Sequence, residues 1–248
     1  MSLESKTDAC NNPIEVLSFD NFIIDRGNES AYEIAKDISI YPGTRFNPFF
    51  IYGKSGLGKT HLLKAIETSI HNSKPDMKVL YMTTRDFTGE FIKSISENST
   101  DEFNSKLREQ DIFLIDELDE IKDKPETQSK LLYIINSFLD HNKQIVLSSC
   151  ISPRRITLSN RILFRNKYST VIQIAAPDLE SKIKFLQSYA EQNGITVTRD
   201  LLNYIAGIIP SNYAIMGSIL KSLQAVSGFS GIPISAQSIK AMMKQCGF

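Results

Sequence analysis

Gly53-Lys54-Ser55-Gly56-Leu57-Gly58-Lys59-Thr60 lies between a short apolar run, Phe49 to Tyr52, and a stretch with helical spacing, Leu62, Leu63, Ala65 and Ile66. It fits G-x-x-x-x-G-K-[ST], and strand before with helix after is the context that a P-loop needs. The glycines let the backbone curl so that successive N–H groups face phosphate oxygens. The helix that follows adds its positive end. Lys59 is placed to bridge β- and γ-phosphates, and the Thr60 hydroxyl to ligate Mg²⁺. ATP or ADP with Mg²⁺ is therefore the expected ligand. Its candidate contacts are Gly53, Ser55, Gly56, Leu57, Gly58, Lys59, Thr60 and His61. His61 is read as packed at the helix start rather than as catalytic.

Outward from the P-loop, strand and helix signals alternate. Val79 to Met82, Ile112 to Ile115, Ile145 to Leu147 and Val171 to Ile174 read as four further strands. Between them, Phe87, Phe91, Ile92 and Ile95 mark one helix face, and Leu131, Ile134, Ile135 and Phe138 another. Before the P-loop, Asn28 is a candidate cap for a helix carrying Ala31, Ile34, Ala35 and Ile38, closed by Pro42-Gly43. Such alternation predicts an α/β fold, a parallel sheet covered on both faces. After Pro177 strand signals stop. Ile183, Leu186 and Ala190, then Leu201, Leu202, Ile205 and Ala206, then Ile215, Ile219, Leu220 and Leu223, then Ile239, Met242 and Met243 recur at helical spacing. The expected organisation is a loose tail over 1–12, a nucleotide-binding base over 13–176 and a helical subdomain over 177–248.

Ile112-Phe113-Leu114-Ile115-Asp116-Glu117 is the second chemical signal. An apolar strand ending in two carboxylates beside a P-loop is the Walker B arrangement. Asp116 would hold Mg²⁺ directly or through water, sharing it with Thr60, and Glu117 would act as general base on the attacking water.

The 248 residues include 28 basic and 28 acidic side chains, so net charge makes no global case for nucleic acid. No apolar run is long enough for a transmembrane helix, and the start lacks a signal-peptide layout. Cys10, Cys150 and Cys246 are odd in number and far apart, which suits a reducing, cytoplasmic setting without disulfides. Histidines are scattered too, and no structural metal is expected. Phe46, Phe49 and Phe50 are read as core, Lys240 and Lys244 as a solvated face, and Cys150 as a buried small residue.

The chain resembles the AAA+ domain of the DnaA family of bacterial replication initiators, which includes the shorter relative Hda. The words that carry the resemblance are Phe19-Asp20-Asn21-Phe22, Asn47 to Gly53, Gly56 to Leu63, Lys143 to Val146 and Ala176 to Glu180. It implies a five-stranded parallel sheet of order 5-1-4-3-2 with a C-terminal all-helical lid, nucleotide lying between them. It implies that Phe22 borders the adenine pocket. Arg165 falls on the family's arginine finger, which reaches a neighbouring subunit's γ-phosphate, and Arg161 on a second contact arginine. ATP-dependent head-to-tail assembly in replication initiation or its regulation follows, with itself or a full-length initiator as partner. Origin or single-stranded DNA is a further candidate partner.

Departures from the family pattern keep alternatives open. Cys150, after Ser148 and Ser149, stands where the family has its sensor 1 Asp. Ala214, in Ser211 to Ile215, stands where a sensor 2 Arg touches phosphate. Lys124 and Glu126 fall near two basic residues that grip single-stranded DNA, and a Glu there repels phosphate. No helix-turn-helix domain follows the lid helix, so a shortened initiator and an Hda-like module both fit. The alternatives to a slow ATPase switch are a non-hydrolysing nucleotide-bound module that regulates a partner initiator, and a DnaC-like helicase loader.

Overall fold

The computed structural model describes residues 16–156 and 169–230, together with 237 and 239. Five parallel strands form one sheet: β1 (Phe49–Tyr52), β2 (Val79–Thr83), β3 (Ile112–Asp116), β4 (Gln144–Ser149) and β5 (Thr170–Gln173). Their order is β2-β3-β4-β1-β5, the expected 5-1-4-3-2 seen from the other edge. The central strands β3 and β4 are buried throughout, as their unbroken apolar runs predict. β5 is an edge strand in which half-buried and exposed positions alternate, and Val171 is exposed.

The helices are α1 (Glu29–Ile40), α2 (Lys59–Ser73), α3 (Thr84–Ser96), α4 (Thr100–Arg108), α5 (Pro125–Asp140), α6 (Leu179–Gln192), α7 (Arg199–Ile208) and α8 (Tyr213–Ser230). Two apolar clusters lie on opposite faces of the sheet. One joins Ile112, Leu114, Val79 and Tyr81 to α1, α2 and the C-terminal helices. The other joins Phe113, Ile115, Leu80 and Met82 to α3, α4 and α5. The period of two along β2 and β3 is what sends neighbouring residues to different clusters. α6, α7 and α8 pack on one another through Leu186, Ala190, Leu202, Ile205, Leu220 and Leu223, the faces expected from their spacing.

Two local expectations fail. Phe87 is fully buried on α3, but Ile92 and Ile95 are 59% and 50% exposed. The buried side is the one that carries Phe87 and Phe91, against which Phe103 of α4, a helix the sequence reading lacked, packs; Ile92 and Ile95 lie off that side. Thr83 and Asp86 form a capping box at the start of α3, worth about 1 kcal/mol. Asn28 does precede α1, yet its side chain makes no cap bond. Instead its amide binds back to Asp25 N and Ile23 O at 2.8 and 3.1 Å, and Asp25 Oδ1 accepts from Gly27 N and Asn28 N. An Asx-type turn thus replaces the expected cap.

Candidate functional site

The C-terminal ends of β1, β3 and β4 meet at one edge of the sheet. In open α/β sheets this edge is where ligands bind. β1 delivers the P-loop, β3 delivers Asp116 and Glu117, and β4 delivers Ser148, Ser149 and Cys150. A cleft of about 390 Å³ opens there. Its floor is Ser55 to His61 with Asp116, Glu117 and Cys150, one wall is the segment from Leu17 to Asn28, and the other is Phe185, Tyr189, Tyr213 and Ala214.

Gly56 and Gly58 have φ of +76° and +91°, the left-handed region in which a side chain is strained. A methyl group on Gly56 would also collide with the Asn212 amide, and one on Gly58 would meet the Phe22 ring at 3.0 Å. Lys59 is 7% exposed. Its ammonium donates to the main-chain carbonyls of Gly53 and Lys54 at 2.7 and 3.0 Å. A buried cation without a carboxylate partner in these bonds suits an incoming anion. Because α2 begins at Lys59, the first N–H groups of the helix lack acceptors inside it and face the cleft. The residues present therefore fit a polyphosphate.

Asp116 is 2% exposed and receives four donors. Thr60 Oγ1 and the Tyr81 hydroxyl reach Oδ2 at 2.7 and 2.9 Å. Glu117 N reaches Oδ1 at 3.0 Å, and Ser148 Oγ donates to the same oxygen. Thr60 and Asp116, the candidate Mg²⁺ residues, are thus in direct contact although 56 positions apart. A hydroxyl and a carboxylate side by side suit a hard cation. Glu117 has φ 58°, a left-handed conformation that costs a non-glycine residue about 1–2 kcal/mol. Its side chain is exposed towards the cleft. Desolvation, then the negative charges of Glu120 and Asp116, push its carboxyl above the usual range.

Cys150 is half-buried rather than buried, because it follows the last residue of β4 and lines the cleft; its N–H donates to Asp119 Oδ1 at 2.7 Å. Ser149 Oγ reaches the same Asp119 oxygen at 2.9 Å. Of Ser148, Ser149 and Cys150, Ser148 is the one that touches Asp116. Phe22 is buried, stacks on Tyr32 at 5.7 Å and meets the His61 ring edge-on at 5.1 Å. His61 Nε2 lies 2.9 Å from Ser18 O and 3.0 Å from Asn21 Oδ1, so it ties the leading segment to α2, the packed position expected of it.

The C-terminal helices touch the P-loop directly. Tyr213 N donates to Gly56 O at 2.9 Å and the Asn212 amide to Ser55 O at 3.3 Å. The Tyr213 hydroxyl donates to Asp25 Oδ2, and its ring lies 4.6 Å from that of Phe185. Desolvation, set against the Gly27 and Asn28 N–H bonds, raises the Asp25 carboxyl above its ordinary value. Ala214, the next residue, presents only a methyl group to the cleft. Arg161 and Arg165 lie outside the described residues, as do 1–12 and Met242 and Met243. Sequence reasoning missed Tyr81 and Asp25, and it placed Asn212 and Tyr213 in the Ser211 to Ile215 turn without their contacts to the P-loop. The parallel register that pairs Thr83 with Asp116, and so sets Tyr81 beside that carboxylate, has no local signature.

The family model for the bacterial DnaA ATPase domain matches residues 15–174. Domain III of the Thermotoga maritima replication initiation protein DnaA superposes with a TM-score of 0.85 at 28% identity, over 93% of this chain and 97% of that one. AMPPCP-bound DnaA from Aquifex aeolicus matches at 0.77 and 26%, over 88% and 67%. A replication initiator DnaA bound to AMPPCP and single-stranded DNA matches at 0.78 and 25%, over 87% and 66%. Among the described residues no helix is long and apolar enough to cross a membrane.

Proposed function

The chain belongs to the bacterial DnaA ATPase-domain family of replication-initiation AAA+ proteins, and we propose from that membership and from its cleft that it binds ATP or ADP with Mg²⁺ and assembles head to tail in the ATP form. One observation carries the nucleotide reading. Thr60 of the P-loop and Asp116 of the second motif meet at 2.7 Å beside a buried Lys59. The solved relatives with AMPPCP lend further support.

Each residue then has a distinct task. Lys59 releases its two carbonyls and turns to the phosphates, while the glycine-rich backbone offers its N–H groups. Thr60 keeps oxygen lone pairs free for a cation while it donates to Asp116. Mg²⁺, when bound, would neutralise charge that develops on the phosphates. Glu117, exposed to the cleft, takes the proton of an attacking water. Phe22 and the Phe185–Tyr213 pair flank the nucleoside. Arg165 would complete a neighbour's site, a heterologous contact that builds open assemblies when its rotation does not close. The base over 13–176 and the lid over 177–248 would then move as the two parts that enclose the nucleotide. Single-stranded DNA, seen with one relative, is a weaker partner for this chain, because Glu126 sits in the first turn of α5 where phosphate would approach.

A second reading has an observation in its favour. With Ala214 in place of an arginine, the lid meets the P-loop through Asn212 and Tyr213 and not through the γ-phosphate. A lid held in that way suits a nucleotide-bound module that regulates a partner initiator without hydrolysis. Turnover and particle size in ATP and in ADP separate the two. ATP-only assembly, with phosphate release abolished by Glu117→Gln, supports the switch. Equal size in both nucleotides and no phosphate release above the Glu117→Gln level supports the module.

A further inference from the structure

Tyr81 has no place in either motif, yet its hydroxyl ends on the carboxylate that both motifs share. It donates to Asp116 Oδ2 at 2.9 Å, the oxygen that Thr60 also reaches. Ser148 and the Glu117 N–H occupy Oδ1. A carboxylate offers about four lone-pair directions, and these donors take all of them. The ring is held from α2: Lys64 Nζ lies 3.4 Å from its centroid, and Lys64 is itself paired with Glu67 at 2.8 Å. The other donors are built in. Glu117 N is backbone, Ser148 is fully buried on a central strand, and Thr60 must stay to present its oxygen to the cation. Tyr81 is only half-buried and is the donor that can leave.

We propose that Tyr81 is a positioning residue for the cation site, holding the Asp116 lone pair that Mg²⁺ or its bound water must take, so that the phenol yields as the cation enters. This rests on the Mg²⁺–nucleotide reading above. Removing the hydroxyl frees that lone pair without moving the ring. A hydrogen bond to a charged group is worth roughly tenfold in an equilibrium, so Tyr81→Phe should lower the Mg²⁺ requirement by about that factor.

The test is a MgCl₂ titration of the full chain with a fluorescent ADP analogue, paired with binding of the same analogue in EDTA. The expected result is a midpoint about tenfold lower in Tyr81→Phe, with affinity in EDTA unchanged. Lys64→Met, which loosens the ring but keeps the hydroxyl, should shift the midpoint the same way and by less. A merely structural role would alter affinity in EDTA and leave the midpoint ratio alone. An unchanged or raised midpoint in Tyr81→Phe, with a Mg²⁺-dependent wild type, overturns the proposal and spares the cation site. A wild type that binds the analogue equally with and without Mg²⁺ overturns both.

Discussion

Tyr213→Phe should speed nucleotide release. The phenol donates to Asp25, and with the Tyr213 N–H and the Asn212 amide it joins the start of α8 to the P-loop and the leading segment. Phenylalanine keeps the backbone bond to Gly56 and the ring contact with Phe185. What is lost is one bond to a carboxylate, worth roughly 1.5–3 kcal/mol when well buried. Asp25 is half-buried and retains the Gly27 and Asn28 N–H groups, so solvent and these partners reduce the loss to about 1–1.5 kcal/mol. In the ratio of closed to open lid that is about five- to tenfold. Stopped-flow release of a fluorescent ADP analogue should accelerate by that factor, with the association rate nearly unchanged. An ATP analogue should respond equally, because the contact is remote from the γ-phosphate. The pH dependence has a definite sign. Asp25 has its carboxyl raised above 3.8, chiefly by desolvation. Its contribution to global stability is therefore present at low pH and lost as pH rises from 3.8 through the raised value. Unchanged release in Tyr213→Phe, or acceleration for one nucleotide only, would refute the reasoning.

Gly56→Ala should be severe, since it places a methyl group against the Asn212 amide at a φ of +76°. Melting temperature should fall and nucleotide affinity with it, whereas Gly207→Ala, on a helix with open space around it, should raise stability by up to about 1 kcal/mol. Ile92→Ser and Ile95→Ser should each change unfolding free energy by only about 0.5 kcal/mol in urea titrations, because both side chains are open to solvent. If the chain hydrolyses ATP, the acid limb of its pH–rate profile should lie above the ordinary glutamate range, because Glu117 is raised and acts as base only when ionised. Activity should fall as pH drops through that value, and a limb at or below 4.5 would exclude Glu117 as the base.

The strands and the two phosphate-site motifs were legible because each rests on short-range chemistry, whereas the sheet order came only from the family resemblance. Gly56 and Gly58 need left-handed backbone, Lys59 follows them in the helix, and Ile112 to Ile115 is apolar without interruption because β3 is buried on both faces. What escaped depends on neighbours distant in sequence. Tyr81 reads as one more strand residue until β2 is laid beside β3. Asp25 and Tyr213 are unremarkable apart and meaningful only across the cleft. The departures at Cys150 and Ala214 were visible, but their consequences were not. Ser148 reaches Asp116, and Asn212 with Tyr213 docks the lid, through contacts that no spacing rule encodes. Ile92 and Ile95 show the converse: helical periodicity promised a buried face that the packing of α4 does not use.

Nucleotide binding at the P-loop is tested most directly by calorimetry of ATP and ADP with MgCl₂, wild type against Lys59→Ala. Saturable binding of at least one nucleotide to the wild type, lost or weakened by about a hundredfold or more in the variant, is the predicted result. No binding to the wild type, or equal binding to both proteins, would contradict it.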